Sequence, residues 1–160
     1  MFEDDVNFYI VAELMRGGDL YNHMLTHKRL SERNAASVIK QTLQAINYMH
    51  MQKILHRDIK PENILLTEAQ AGCELHIKLT DFGLATPFQE GAKLTEHLGS
   101  PIYMAPELVN QGEYDEKIDI WGIGVVAHIL LCGCPPFDGN TNEEIKYAIT
   151  KGPPNFGRIK

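Results

Sequence analysis

The sequence predicts an α+β fold that is mainly helical and carries a few short strands. Three observations lead there. Apolar residues recur every three or four positions through 31–49, as one buried helix face requires. Short stretches around 54–55, 64–66 and 75–79 are strand-like, the last alternating apolar and polar side chains. Between them and a second, strongly apolar helical stretch at 118–134 lies a long aperiodic segment, 81–106, rich in Gly, Pro, Thr and charge.

Each element follows from local chemistry. Residues 7–14 are aromatic and β-branched, which suits a strand, and Met15-Arg-Gly-Gly18 ends it in a hinge-like loop. Asp19 is placed to cap a short helix running through His27. Ser31 is placed to cap a longer one, with Ala35, Ile39, Leu43, Ile46 and Met49 on its buried face. A polar turn at 67–72 is expected to join the strands 64–66 and 75–79. The apolar stretch 118–134 carries Asp119 and His128 and is shorter than the roughly 20 apolar residues that cross a bilayer, so it reads as a buried core helix.

Composition excludes several functions. The 160 residues are 44% hydrophobic and 22% charged with a formal net charge of −6, enough apolar material for one core and the wrong sign for a protein built to hold nucleic acid. Cys73, Cys132 and Cys134 suggest neither a disulfide framework nor a four-ligand zinc site, so reduced buried thiols are expected. The acidic opening Met1-Phe-Glu-Asp-Asp5 has no signal-peptide character, which leads us to expect a cytoplasmic or nuclear protein.

The chemistry concentrates in Ile54-Leu-His-Arg-Asp-Ile-Lys-Pro-Glu-Asn-Ile-Leu-Leu66, followed by Asp81-Phe-Gly83 and Ala105-Pro-Glu107. Asp58, Asn63 and Asp81 offer hard oxygen atoms on short loops, which suits magnesium. Phosphoryl transfer needs such positioning and charge cancellation more than covalent chemistry. Any one of these motifs alone is ordinary turn or loop sequence, and their order and spacing together carry the signal.

In these motifs the chain resembles the protein kinases over essentially its whole length; Asp119-Ile-Trp-Gly-Ile-Gly124 and Gly133-Cys-Pro-Pro-Phe137 are similar to that family's later helices. The resemblance implies a protein-kinase-like fold. Residues 1–14 would be the last strand of the small N-terminal lobe, 15–20 the hinge and 21–160 the helical C-terminal lobe. It implies ATP and Mg2+ as cofactors and protein substrates. Asp58 would accept or orient the substrate hydroxyl proton, Lys60 would neutralise the moving phosphoryl group, and Asn63 and Asp81 would hold metal. His56 would pack in a hydrophobic stack under Phe82.

Lys60 and Ser100 resemble the serine/threonine type, so Ser and Thr hydroxyls are the expected acceptors. Glu62 would attract basic residues before the target site. Arg57 in many kinases pairs with a phosphorylated threonine of the activation loop; counting back from Gly99, the residue facing it here is Glu96, beside a phosphorylatable Thr95. A carboxylate at that position, like Glu13-Leu-Met-Arg-Gly-Gly-Asp-Leu20 and Leu130-Leu-Cys-Gly-Cys-Pro-Pro-Phe137, resembles the calcium-dependent and calmodulin-dependent group. Ala12 falls at the gatekeeper position, the backbone of Glu13 and Met15 would bind adenine, and Asp19 would reach the ribose.

No glycine-rich phosphate loop and no strand lysine paired to a helix glutamate is found in the 160 residues. Loss of one preorganised charge-stabilising donor costs on the order of 10² to 10³ in rate, so the isolated chain is expected to be inactive and to represent part of a longer kinase lacking here its small lobe and final helices. Glu107, in the family paired with an arginine of a later helix, would be left unpaired, a loss of roughly 3 to 5 kcal/mol. No EF-hand loop is found. The alternative is a non-catalytic half-kinase that binds partners or competes with a full kinase.

Overall fold

The computed structural model describes residues 1–68 and 75–156. The expected turn at 67–72 therefore falls largely outside the described residues, as does Cys73. A short antiparallel pair, β1 (Phe2–Glu3) and β2 (Phe8–Tyr9), opens the chain. The strand expected over 7–14 is hydrogen-bonded only at Phe8–Tyr9. Residues 10–14 have no partner strand among the described residues, and Ile10, Val11 and Leu14 stand exposed.

Two helices follow with the caps that their sequences forecast. In α1 (Leu20–His27) the Asp19 carboxylate accepts the Asn22 amide, and in α2 (Glu32–Met51) the Ser31 hydroxyl accepts that of Asn34. The buried face of α2 is Ala35, Val38, Thr42 and Ile46. Leu43 is exposed instead of buried, and Thr42 takes the inward position because its hydroxyl donates to the Val38 carbonyl at 2.9 Å and arrives in the core satisfied.

Four short strands then frame the loops. β3 (Ile54–Leu55) pairs antiparallel with β6 (Thr86–Pro87), and β4 (Ile64–Leu66) with β5 (Ile77–Leu79). Leu75 is buried but precedes β5. Gln41 of α2 secures this edge, donating to the Leu75 carbonyl and accepting the Ile77 amide. The aperiodic segment is a loop over 81–105, interrupted by β6, a 3-10 turn at Pro101–Tyr103 and a bridge from Leu94 to Tyr114.

Beyond it lie α3 (Pro106–Val109), α4 (Lys117–Cys132) and α5 (Asn142–Lys151). Helix α4 is apolar over most of its surface because most of it is buried, with Lys117, Ile120 and Gly124 left on its exposed side. Its Ile123, Val126 and Leu130 meet α1, α2 and β4 in the main core; Ile118 packs with Leu55, Leu108 and Tyr114 in a second cluster. Trp121 stacks on Phe137 at 5.7 Å and ties in α5. Among the described residues no helix is long and apolar enough to cross a membrane. Cys132 and Cys134 are half-buried.

Candidate active site

Strand β3 delivers the chain into the His56–Arg57–Asp58 loop, and one buried carboxylate on α4 sets that loop's path. Asp119, 1% exposed, accepts the Arg57 amide on Oδ1 at 2.8 Å and the His56 amide on Oδ2 at 3.0 Å. His50 Nε2 lies 2.8 Å from Oδ2. These bonds hold Arg57 in the left-handed region at φ 68°, a conformation that costs a non-glycine residue about 1 to 3 kcal/mol unless its surroundings impose it. Strain of this kind collects where side-chain aim matters.

Asp58 lies 7% exposed at the centre of a closed polar network. Lys60 Nζ donates to its Oδ2 at 2.6 Å and to Ser100 Oγ at 3.1 Å, and Ser100 Oγ donates to Asp58 Oδ1 at 3.0 Å. Asn63 Nδ2 donates to the Asp58 backbone carbonyl at 2.9 Å and to Oδ2 at 3.2 Å. Burial works against ionisation of Asp58, but the bonds from Lys60, Ser100 and Asn63 outweigh it and hold the carboxyl below the ordinary carboxylate value. Asp58 is therefore an anion at neutral pH, aimed by three donors.

The Asn63 side-chain nitrogen is spent on Asp58, while its side-chain oxygen accepts no hydrogen bond among the described residues. The Thr80 amide donates to the Asn63 backbone carbonyl at 3.0 Å, which brings Asp81 to the same end of the β4–β5 pair. Asp81 has φ 60°, is exposed, and takes one weak local bond from the Gly83 amide. A carbonyl oxygen and an exposed carboxylate fit Mg2+, which takes oxygen ligands and keeps several waters or phosphate oxygens.

The Arg57 guanidinium runs to the long loop. It donates to the Leu84 carbonyl at 2.6 Å, to Glu96 Oε2 at 2.8 Å and to the Tyr114 hydroxyl at 3.2 Å. The Tyr114 hydroxyl donates to the Glu96 backbone carbonyl at 2.7 Å. Thr95, next to Glu96, is exposed. His56 is fully buried with its ring 5.4 Å from that of Phe82, and Nε2 meets the Thr80 carbonyl at 3.2 Å; Phe82 itself is half exposed.

Other expected site residues stand apart from this cluster. Ala12 and Glu13 are exposed, and Glu13 pairs with Lys78. The Glu13 carbonyl and Met15 amide make no hydrogen bond among the described residues. The chain is pinned just beyond them, where the Arg16 and Gly17 amides donate to the Thr67 and Leu66 carbonyls. A Cβ on Gly17 would come within 2.6 Å of Leu66 Cβ, so only glycine passes there. Both Asp19 oxygens are engaged by Asn22, which makes its structural work the helix cap. Glu62 is exposed; its charge, after burial, is the next cause that drives the Tyr103 hydroxyl far above its ordinary value. Glu107 is half-buried and has no ion pair among the described residues.

Sequence reasoning missed two residues of the site, Asp119 as the loop's anchor and Tyr114 as the bridge between Arg57 and Glu96. A lone acid inside an otherwise apolar helix was the available signal for Asp119, since a buried carboxylate survives only with partners. Tyr114 gave none.

A helical lobe built around α4, with a buried aspartate network on one loop and an exposed aspartate on the next, defines a protein of the kinase-like fold. The protein kinase domain model matches residues 1–158, and the chain belongs to that family. It is 43% identical to calcium-dependent protein kinase 4 of Plasmodium berghei (strain Anka) over 155 residues, 97% of this chain and 29% of that protein. It is 41% identical to calcium-dependent protein kinase 14 of Arabidopsis thaliana over 157 residues, 98% of this chain and 29% of that one. A serine/threonine-protein kinase SIK3 homolog of Danio rerio is 39% identical over 153 residues, 95% of this chain and 12% of that protein. The chain thus spans less than a third of the length of these relatives, and the resemblance to calcium-dependent protein kinases expected from its motifs holds across nearly all of it.

Proposed function

We propose that the chain forms the substrate- and metal-binding part of a serine/threonine protein kinase that moves the γ-phosphoryl group of ATP to Ser or Thr hydroxyls of proteins. The observation that carries this is the network joining Asp58, Lys60, Ser100 and Asn63. Asp58 accepts or orients the proton of the incoming hydroxyl. Lys60 Nζ, held between Asp58 and Ser100, sits where charge on a transferring phosphoryl group needs cancelling. Asn63 and Asp81 would hold Mg2+, which supplies further charge neutralisation on the phosphate oxygens.

Ser100 contributes by ordering the loop that follows Asp58's acceptor side, and its bonds to both Asp58 and Lys60 support the Ser/Thr assignment. Glu62, exposed beside Tyr103, gives the substrate surface a negative point that suits basic residues before the target. Adenine pairs with the free Glu13 carbonyl and Met15 amide, and Ala12 leaves room for bulky adenine analogues. Arg57 and Glu96 order the activation segment without phosphorylation of Thr95, a carboxylate carrying about half the charge a phosphate would bring.

The test is phosphoryl transfer by the natural polypeptide, captured from source cells with an antibody against residues 86–97. Transfer to a peptide with Arg before Ser, its absence on the Tyr counterpart, and a fall of about 10³-fold in Asp58→Asn are expected. Captured polypeptide that binds but never phosphorylates would favour the non-catalytic binding module instead.

A further inference from the structure

The solvent side of α1 carries two histidines one turn apart that take no part in the Asp58 network. Residues four apart on a helix share a face, and the rings of His23 and His27 lie stacked, their centroids 4.2 Å apart and their planes 23° from parallel. His27 Nδ1 is 2.9 Å from the His23 backbone carbonyl oxygen. A carbonyl oxygen only accepts, so Nδ1 carries the proton, and the neutral ring keeps its lone pair on Nε2. Histidines that bind metal have this same second bond, which fixes tautomer and ring orientation before the ion arrives.

We propose that His23 and His27 form a two-imidazole site for a divalent transition cation, with water completing its coordination. Two nitrogen donors at this spacing suit Cu2+ most, then Zn2+ or Ni2+. Mg2+, which takes oxygen ligands, would leave the site empty. His27 is exposed and lines a cavity of about 820 Å³, so a hydrated ion can approach it. The other described histidines compete poorly. His56 and His128 engage both ring nitrogens, and the rings of His50 and His97 meet Phe88 and Tyr114, so no second imidazole lies beside them; His76 is exposed but has no histidine stacked on it.

Calorimetric titration of the 160-residue chain with Zn2+ tests this, beside His23→Gln, His27→Gln and a His76→Gln control. One ion per chain is expected. Either α1 variant should weaken binding by at least the 10- to 100-fold that loss of even an outer-shell partner costs, while His76→Gln binds like the original. Unchanged affinity in both α1 variants would overturn the site. Should a variant fail to fold by circular dichroism, the Cu2+ electron paramagnetic resonance spectrum of the unaltered chain decides: hyperfine coupling to two nitrogens upholds the site, and coupling to one or none overturns it.

Discussion

The Arg57 guanidinium and the Glu96 carboxylate meet at 2.8 Å although one side chain is 7% exposed and the other 69%. The pair is thus a buried cation reaching out to a surface anion. Burial alone disfavours the charge on Arg57, but the bonds to Glu96 and Tyr114 outweigh it and its pKa is raised. Removing the carboxylate charge leaves Arg57 with the Leu84 carbonyl and the Tyr114 hydroxyl, neither of them anionic. Glu96→Gln should raise amide exchange at residues 94–98 by roughly tenfold, about 1.4 kcal/mol of local opening, whereas Thr95→Ala should leave it unchanged. Hydrogen exchange followed by mass spectrometry reads both, and a response to Thr95→Ala alone would reverse the assignment.

Asp119 is the second point at which the loop can be released. It accepts two backbone amides and faces His50 from a position 1% exposed, so its removal leaves buried and half-buried donors without their partner. Asp119→Ala is expected to cost about 3 to 5 kcal/mol, the range for stripping one partner from a buried charged contact. Urea unfolding followed by tryptophan fluorescence measures it through Trp121. A loss under about 1 kcal/mol would mean that the loop holds its shape without this anchor.

Local rules explain why so much was legible in advance. The caps Asp19 and Ser31, the short strands 54–55 and 64–66, and the apolar helix α4 are each specified by residues within a few positions of one another. Asp58, Lys60 and Asn63 were named from one motif because five residues of chain bring them together. The contact of Asp119 with Arg57 spans 62 residues, and that of Tyr114 with Arg57 spans 57. No periodicity encodes such a meeting. Likewise the helical periodicity places Leu43 inside, because it cannot foresee that the Thr42 hydroxyl is satisfied by the Val38 carbonyl and occupies the core.

The ionisation of Asp58 gives a prediction with a defined sign. Its folded-state pKa lies below the ordinary 3.8, so the stabilisation it contributes is fully present above that value and is lost as pH falls through the lower folded-state value. Lys60→Met removes both a hydrogen bond and a positive charge while leaving the burial that opposes ionisation. The Asp58 carboxyl, followed by carbon NMR, should then titrate at higher pH than in the unaltered chain. A carboxyl that titrates at the same pH in both would show that Lys60 does not set its charge.

Gly99 tests whether the long loop must approach the Arg57 backbone as closely as it does. Its φ is 122°, where side-chain-bearing residues are strained, and a Cβ there would lie 3.0 Å from the Arg57 carbonyl oxygen. Backbone strain of about 1 to 3 kcal/mol adds to that contact, and a carbonyl fixed by the Asp119-anchored loop has little freedom to retreat. Gly99→Ala should therefore destabilise the chain by about 2 kcal/mol and disturb Ser100, whose hydroxyl bonds Asp58 at 3.0 Å only while Gly99 holds its turn. Gly91, also at positive φ with open space around its Cβ position, supplies the comparison. Gly91→Ala carries the backbone strain without the clash. If thermal unfolding found the two variants equally destabilised, the close approach at Arg57 would have no energetic weight and the loop would be held by φ preference alone.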